Sequence, residues 1–303
     1  MRSVSVRSGR QAPDAPVIPE RPVFFFHVPK TGGRTVERFL AAKFGADVYH
    51  PKRNKKWFAG LAASKIGDRE TPCGRHIVGH TASWSLLEGA PQRYQKICFW
   101  RHPADWFLSF YNYRIHRTAH RFDQPFAFED FRRSMLRNPM TECLLLKCGD
   151  VRAHRYFLMS DDEKFLRAAR LLRKFDTFSD IGEVDGVLRG IAGDDASIPH
   201  FNRLRNKQLQ RLDQHVRAEI VSDNPVDYYL HKLTLTADHA NVIREARTRL
   251  NRRFAFGDVL RLIALPYNRL KIWHPRLVAR LRSPLGSAGG PPECRQQALH
   301  MRQ

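Results

Sequence analysis

"VFFFHVPKTGGRTVERFL", residues 23–40, opens with an apolar run broken only by His27 and stops at Pro29. Such a run suits a strand buried on both faces, as in a parallel sheet. A lysine, a threonine and two glycines follow. A helix is then expected from Gly33 to about Phe44, with Val36, Phe39 and Leu40 on one face. A strand, a glycine-bearing turn and a helix start together make an anion site. The leading amides of the helix point outward, and its dipole adds partial positive charge. Gly32 and Gly33 are expected to let the backbone approach a phosphate closely. Lys30 and Arg34 add full charges, and Thr31 and Thr35 add hydroxyls. The alternative is an ordinary strand–turn–helix with a surface lysine. A Walker A loop is disfavoured, because there the lysine follows the last glycine, and no Walker B aspartate stands out.

Further strands are expected at His76–Val78, at Lys96–Trp100 and in "DTFSDIG". Pro103 can open a helix through "ADWFLSFYNYRIH". Other helices are expected at 127–137, 140–147, 161–174, 183–191, 212–221, 226–233 and 238–253. Strands alternating with helices argue an α/β fold with a mostly parallel sheet flanked by helices. The folded domain is expected over 22–255. A flexible lead, 1–21, precedes it, and an extension, 256–303, follows, mobile from about residue 283. Residues 51–75 read as a basic surface insertion.

The 303 residues carry 52 Lys+Arg against 30 Asp+Glu, a formal net charge of +22. That field favours anionic partners: nucleotides, phosphates, acidic polysaccharides or nucleic acid. The 42% hydrophobic content suffices for a core and argues against a disordered chain. Cys73, Cys98, Cys143, Cys148 and Cys294 include no CxxC pair, so neither a zinc knuckle nor a disulfide framework is indicated. Reduced thiols in a cytoplasmic protein are the plain reading. No stretch nears the roughly 20 apolar residues of a membrane span. The basic N-terminus lacks an apolar signal core, and a soluble chain is expected.

A second element lies in "ICFWRHPADWFLSFYNYR". Arg101 ends the strand, and Ser109 lies eight residues on, within the helix. An arginine at a strand end and a hydroxyl two turns along can converge on one phosphate, which arginine holds bidentately. The order "HVPKTGG" resembles the 5′-phosphosulfate loop of sulfotransferases, which use 3′-phosphoadenosine 5′-phosphosulfate (PAPS). Arg101, Pro103, Ser109 and Tyr111 resemble the 3′-phosphate element of the same family. "NPMTECLLLKCG", "FDTFSDIGEVDGVLRGI", "IPHFN" and "NPVDYYLHKL" resemble later blocks of its carbohydrate branch. The likeness runs from about residue 22 to 235. It is nearest to the bacterial branch related to heparan sulfate 2-O-sulfotransferase. Arg34 departs from it by standing where a small residue is usual, and Trp106 where that branch often has arginine.

The resemblance implies a P-loop-NTPase-like sulfotransferase fold. It also implies PAPS as donor, no metal, and transfer of a sulfuryl group to a hydroxyl of a carbohydrate, such as an acidic polysaccharide. Lys30, Thr31, Gly32, Gly33, Arg34 and Thr35 would hold the 5′ side of the donor, and Arg101 and Ser109 the 3′-phosphate. Lys30 would also be catalytic. His80, in "RHIVGHTASWSLL", is the expected base toward the acceptor, working near the ordinary histidine value of about 6.5. His76, Glu88 and Asp105 are the fallback bases, and His27 reads as a core histidine or a pocket wall. A basic nucleic-acid-binding protein is the competing class, drawing on "HPKRNKKW" and the Arg-rich 200–217 segment, although no zinc-finger or RNP signature accompanies them. Another P-loop-like nucleotide-dependent transferase is the third. Peripheral membrane contact and oligomeric state stay open at this level.

Overall fold

β1 (Val23–Phe26) is the central strand of a five-stranded sheet. The computed structural model describes residues 21–45, 48–49, 76–80, 82–87, 91–118, 127–149, 151–193, 198, 207 and 209–250. The sheet contains β2 (Val48–Tyr49), β3 (His76–Gly79), β4 (Gln95–Trp100) and β5 (Thr177–Asp180), in the order β2-β3-β1-β4-β5. All four pairings are parallel. The helices are α1 (Gly33–Phe44), α2 (Pro103–Thr118), α3 (Phe128–Ser134), α4 (Pro139–Cys143), α5 (Ala153–Leu158), α6 (Asp161–Leu172), α7 (Val184–Ala192), α8 (Gln214–Asp223), α9 (Pro225–Leu235) and α10 (His239–Arg249).

The unbroken apolar run of β1 has a simple cause: both faces are covered. Phe24 and Phe26 belong to the larger core with Ile77, Cys98 and Trp100. Val23 and Phe25 belong to a second core with Val78, Ile97 and Phe99, packed on Val36, Phe39 and Leu40 of α1 and Val184 and Leu188 of α7. Register agrees with this split, since Phe25 pairs with Val78 and Ile97 while Phe26 pairs with Cys98. Period-two alternation of side chains then places helices on both faces.

Two Asn-Pro segments 86 residues apart lock the larger core to the sheet. Asn138 Oδ1 accepts the amides of Val226 and Asp227 at 3.0 and 3.2 Å, while Asn224 Oδ1 accepts the Asn138 amide at 2.7 Å. Asp227 in return accepts the amides of Met140 and Thr141 at the head of α4. Each Pro opens a helix where no amide hydrogen is needed. The Trp100 indole donates to the Asp227 carbonyl at 3.1 Å, which fixes the end of β4 one residue before Arg101.

The expected strands and helices are present with bounds shifted by a few residues. Three details differ. The helix expected over 140–147 is α4 followed by a π-helical turn, Leu144–Cys148. β2 and α5 were not anticipated; two residues of strand and six of helix are too short to show a period. The insertion 51–75, Glu88, most of "IPHFN", both outer segments, Cys73 and Cys294 lie outside the described residues, as do residues 200–206 and 208 of the Arg-rich 200–217 stretch. Among the described residues no helix is long and apolar enough to cross a membrane.

Candidate active site

The loop between β1 and α1 is held in two left-handed steps, at Lys30 (φ 68°) and Gly32 (φ 79°). Glycine adopts this region without cost, whereas lysine there carries roughly 1–2 kcal/mol of strain. Several bonds hold the turn. The Thr31 hydroxyl donates to the Val28 carbonyl at 2.8 Å, which leaves Thr31 fully buried. The Thr35 amide donates to the Gly32 carbonyl at 2.9 Å. Gly32 caps α1 without a side-chain acceptor, and the first turn holds no acidic residue. The positive end of the helix dipole therefore meets no carboxylate within its own first turn.

The segment after β4 meets this loop. Arg101 Nη1 donates to the Lys30 carbonyl at 3.2 Å, and the Trp106 indole donates to the Pro29 carbonyl at 2.6 Å. The Lys30 ammonium rests 4.4 Å above the Tyr113 ring, a cation–π contact. Trp106, Ser109 and Tyr113 are spaced three and four apart on α2, so they share one helix face. Ser109, half-buried, thus stands on the face that touches the loop. Burial, with Arg101 and Arg34 beside it, brings the Lys30 ammonium down to about 8. Arg34 itself is exposed.

His80 follows β3 and meets the base of the loop at His27. Its Nδ1 lies 2.6 Å from the His27 carbonyl. A carbonyl oxygen only accepts, so Nδ1 carries the hydrogen and Nε2 keeps its lone pair. The ring stacks on His27 at 3.9 Å and 25°. Burial, assisted by His27 and Lys147, brings His80 down to about 4, against the opposing pull of its bond to the His27 carbonyl and the charge of Glu37. The sequence-based expectation of a group near 6.5 is corrected accordingly. Desolvation is invisible in a sequence and dominates here.

The chain matches the model of the sulfotransferase family over residues 13–186. That is more than half of its length, and the match spans the Lys30 loop, His80, Arg101 and Ser109. The protein belongs to the sulfotransferase family. No curated protein and no solved structure matches it. Membership makes it a transferase of sulfuryl groups.

Within this sulfotransferase the fallback bases fare poorly. His76 is buried at the opposite end of β3, where its Nδ1 accepts the Val23 amide at 3.0 Å and its ring stacks on Phe44. Asp105 is paired with Arg217 at 2.6 Å; burial alone would raise it, yet that bond holds it below the usual carboxylate range. Among the described residues no three His, Cys, Asp or Glu side chains are grouped to hold a metal ion.

Sequence reasoning missed Tyr113, Glu37 and Lys147. Tyr113 stood in a quoted segment but had no assigned role. Lys147 stood in "NPMTECLLLKCG", and its charge reaches His80 from the π-helical turn. Glu37 looked like an ordinary polar position of α1. The reason given for Gly33 also changes. A Cβ there would lie 1.8 Å from the His27 ring, so its bare face admits the imidazole. Gly33→Ala is expected to lose about 1–3 kcal/mol or more through overpacking. Chemical denaturation with an unchanged midpoint would contradict that contact.

Proposed function

We propose that the protein transfers a sulfuryl group from PAPS to a hydroxyl of a carbohydrate, an acidic glycan for preference. One observation carries the donor assignment: Arg101, from the segment resembling a 3′-phosphate site, hydrogen-bonds the carbonyl of Lys30, from the segment resembling a 5′-phosphosulfate loop. Segments 71 residues apart, each resembling one half of a bisphosphate site, are thereby adjacent. The residues present suit such a donor. The left-handed Gly32, the amides heading α1, Lys30, Arg34 and Thr35 would face its 5′ side, with Thr31 bracing the turn. Arg101 and Ser109 would face its 3′-phosphate.

When bound, PAPS supplies the sulfuryl group, and transfer runs in line with charge spread over the moving oxygens, much as in phosphoryl transfer. Lys30 offers its ammonium to the charge that develops on the leaving phosphate. His80 Nε2 accepts the proton of the attacking hydroxyl. The +22 net charge favours a polyanionic acceptor such as a uronate-containing polymer, in keeping with the heparan sulfate 2-O-type resemblance. A cytoplasmic setting fits the reduced, buried thiols of Cys98, Cys143 and Cys148.

Calorimetry with adenosine 3′,5′-bisphosphate tests the donor site. Arg101→Ala should weaken binding by about 1.5–3 kcal/mol, the usual value of a charged hydrogen bond, which is roughly tenfold to more than a hundredfold. AMP, lacking the 3′-phosphate, should bind the wild type comparably weakly. Equal affinity for AMP and the bisphosphate would remove this site from the account.

A further inference from the structure

His27 is an odd residue for its place. It directly continues an otherwise apolar central strand, and a valine there would satisfy both periodicity and burial. Instead three features accommodate an imidazole. Gly33 lacks the Cβ that would lie 1.8 Å from the ring, and Glu37 Oε1 lies 3.0 Å from His27 Nδ1. On its other face the ring stacks against His80 at 3.9 Å. The backbone of the same residue accepts the His80 Nδ1 hydrogen. His27 thus holds His80 twice, by its carbonyl and by its ring.

Burial lowers the His27 value, so the ring is neutral at physiological pH. A neutral imidazole facing a carboxylate places its hydrogen on Nδ1 and donates it to Glu37. Glu37 thereby fixes both the tautomer and the rotation of the ring on which His80 lies. The charged and titratable groups around the pair are Glu37, Lys30 and Arg34 toward His27, and His27, Glu37 and Lys147 toward His80. Glu37 is the sole negative charge among them.

We propose that Glu37 and His27 form a positioning pair for His80, holding its imidazole flat against the base of the loop with Nε2 turned to the acceptor. The proposal rests on the sulfotransferase reading for the task of His80. Neither residue of the pair touches the reacting atoms. Both act through the orientation and field they impose on the base.

The test uses the full chain carrying nitrogen-labelled histidine, with and without adenosine 3′,5′-bisphosphate. In the wild type at neutral pH, His27 and His80 should each show one tautomer, with hydrogen on Nδ1. Glu37→Gln keeps the volume but removes the charge, and its amide can donate as well as accept. Both tautomers of His27 should then be populated, and the His80 ring signals should shift and broaden, its hydrogen staying on Nδ1 through the bond to the backbone carbonyl of His27. His27→Phe keeps a ring in the stack but breaks the link to Glu37. In both variants, turnover of PAPS with a pool of uronate-containing oligosaccharides should fall roughly tenfold or more, as when outer partners of other working imidazoles are removed. Bisphosphate affinity should change by less than about threefold. Folded variants whose His80 ring signals and turnover match the wild type would overturn the proposal, leaving the pair a piece of core. The tautomer measurement needs no acceptor. A wild type that fails to bind the bisphosphate would count against the sulfotransfer site, and the pair would still be judged by its nitrogen signals.

Discussion

His80→Ala is expected to lower kcat by ~10²–10⁴, the range for loss of a general base, with bisphosphate affinity nearly intact. The hydrogen bond from Nδ1 to the His27 carbonyl leaves only Nε2 to take a proton, and the side chain sits one residue past the end of β3, beside the loop that bears Lys30. Truncation removes the base without touching the turn between β1 and α1. The variant should fold, because the backbone bond from the His27 amide to the Gly79 carbonyl, 3.1 Å, remains to hold the strand ends together. A folded His80→Ala protein with wild-type turnover would sink the assignment. His76 and Asp105 would not inherit the role, since both are engaged elsewhere, and Glu88 would be the next residue to test.

Lys30→Ala should reduce kcat by about 10²–10³, as when a single preorganised donor to a developing charge is removed, and should weaken donor binding much less. The amides heading α1 and Arg101 remain for the phosphates. A loss confined to kcat marks an interaction made in the transition state. Because Lys30 sits at φ 68°, Lys30→Gly is an informative companion. It removes the charge while relieving the left-handed strain, so stability should hold or rise as turnover falls. Unchanged single-turnover rates with saturating PAPS would reduce Lys30 to a surface cation.

The two groups also set a pH profile. As the proposed base His80 would work in its neutral form, and its value is lowered to about 4, so kcat/KM should fall only as pH drops through that region. In its proposed role Lys30 would work charged, and its value is lowered to about 8, so kcat/KM should fall again as pH rises through that region. A broad bell between these limits is expected for the free enzyme. A bound donor adds negative charge near Lys30 and should move the upper limb of kcat to higher pH.

How far the sequence reveals this differs between fold and site. "VFFFHV" ahead of two glycines exposes a doubly buried strand and a turn, because hydrophobic burial on two faces, the positive φ of Gly32 and the close approach at Gly33 each leave a mark on residue type. Arg101 was legible for a similar reason, as a cation at the abrupt end of an apolar strand. The two-residue β2 left no mark, and neither did the π-helical turn that carries Lys147, since neither has a period of its own. His76 and His80 look alike in "RHIVGH"; which end of β3 borders the loop is decided by the parallel pairing with β1. Glu37 and Tyr113 are ordinary helix residues until their neighbours are known. The values near 4 and 8 belong to burial and to charges brought together from the ends of β1 and β4, from α1 and from the π-helical turn, which no local stretch records.

The claim that most needs a direct answer is transfer itself. Purified protein should be incubated with PAPS and a panel of uronate-containing glycans, and the products read by mass spectrometry. The account predicts a sulfuryl mass increment on a glycan hydroxyl, dependent on PAPS and accumulating about 10²–10³ times more slowly with Lys30→Ala. A protein that binds adenosine 3′,5′-bisphosphate yet leaves every carbohydrate in the panel unmodified, while transferring the sulfuryl group to an acceptor of another class, would contradict it.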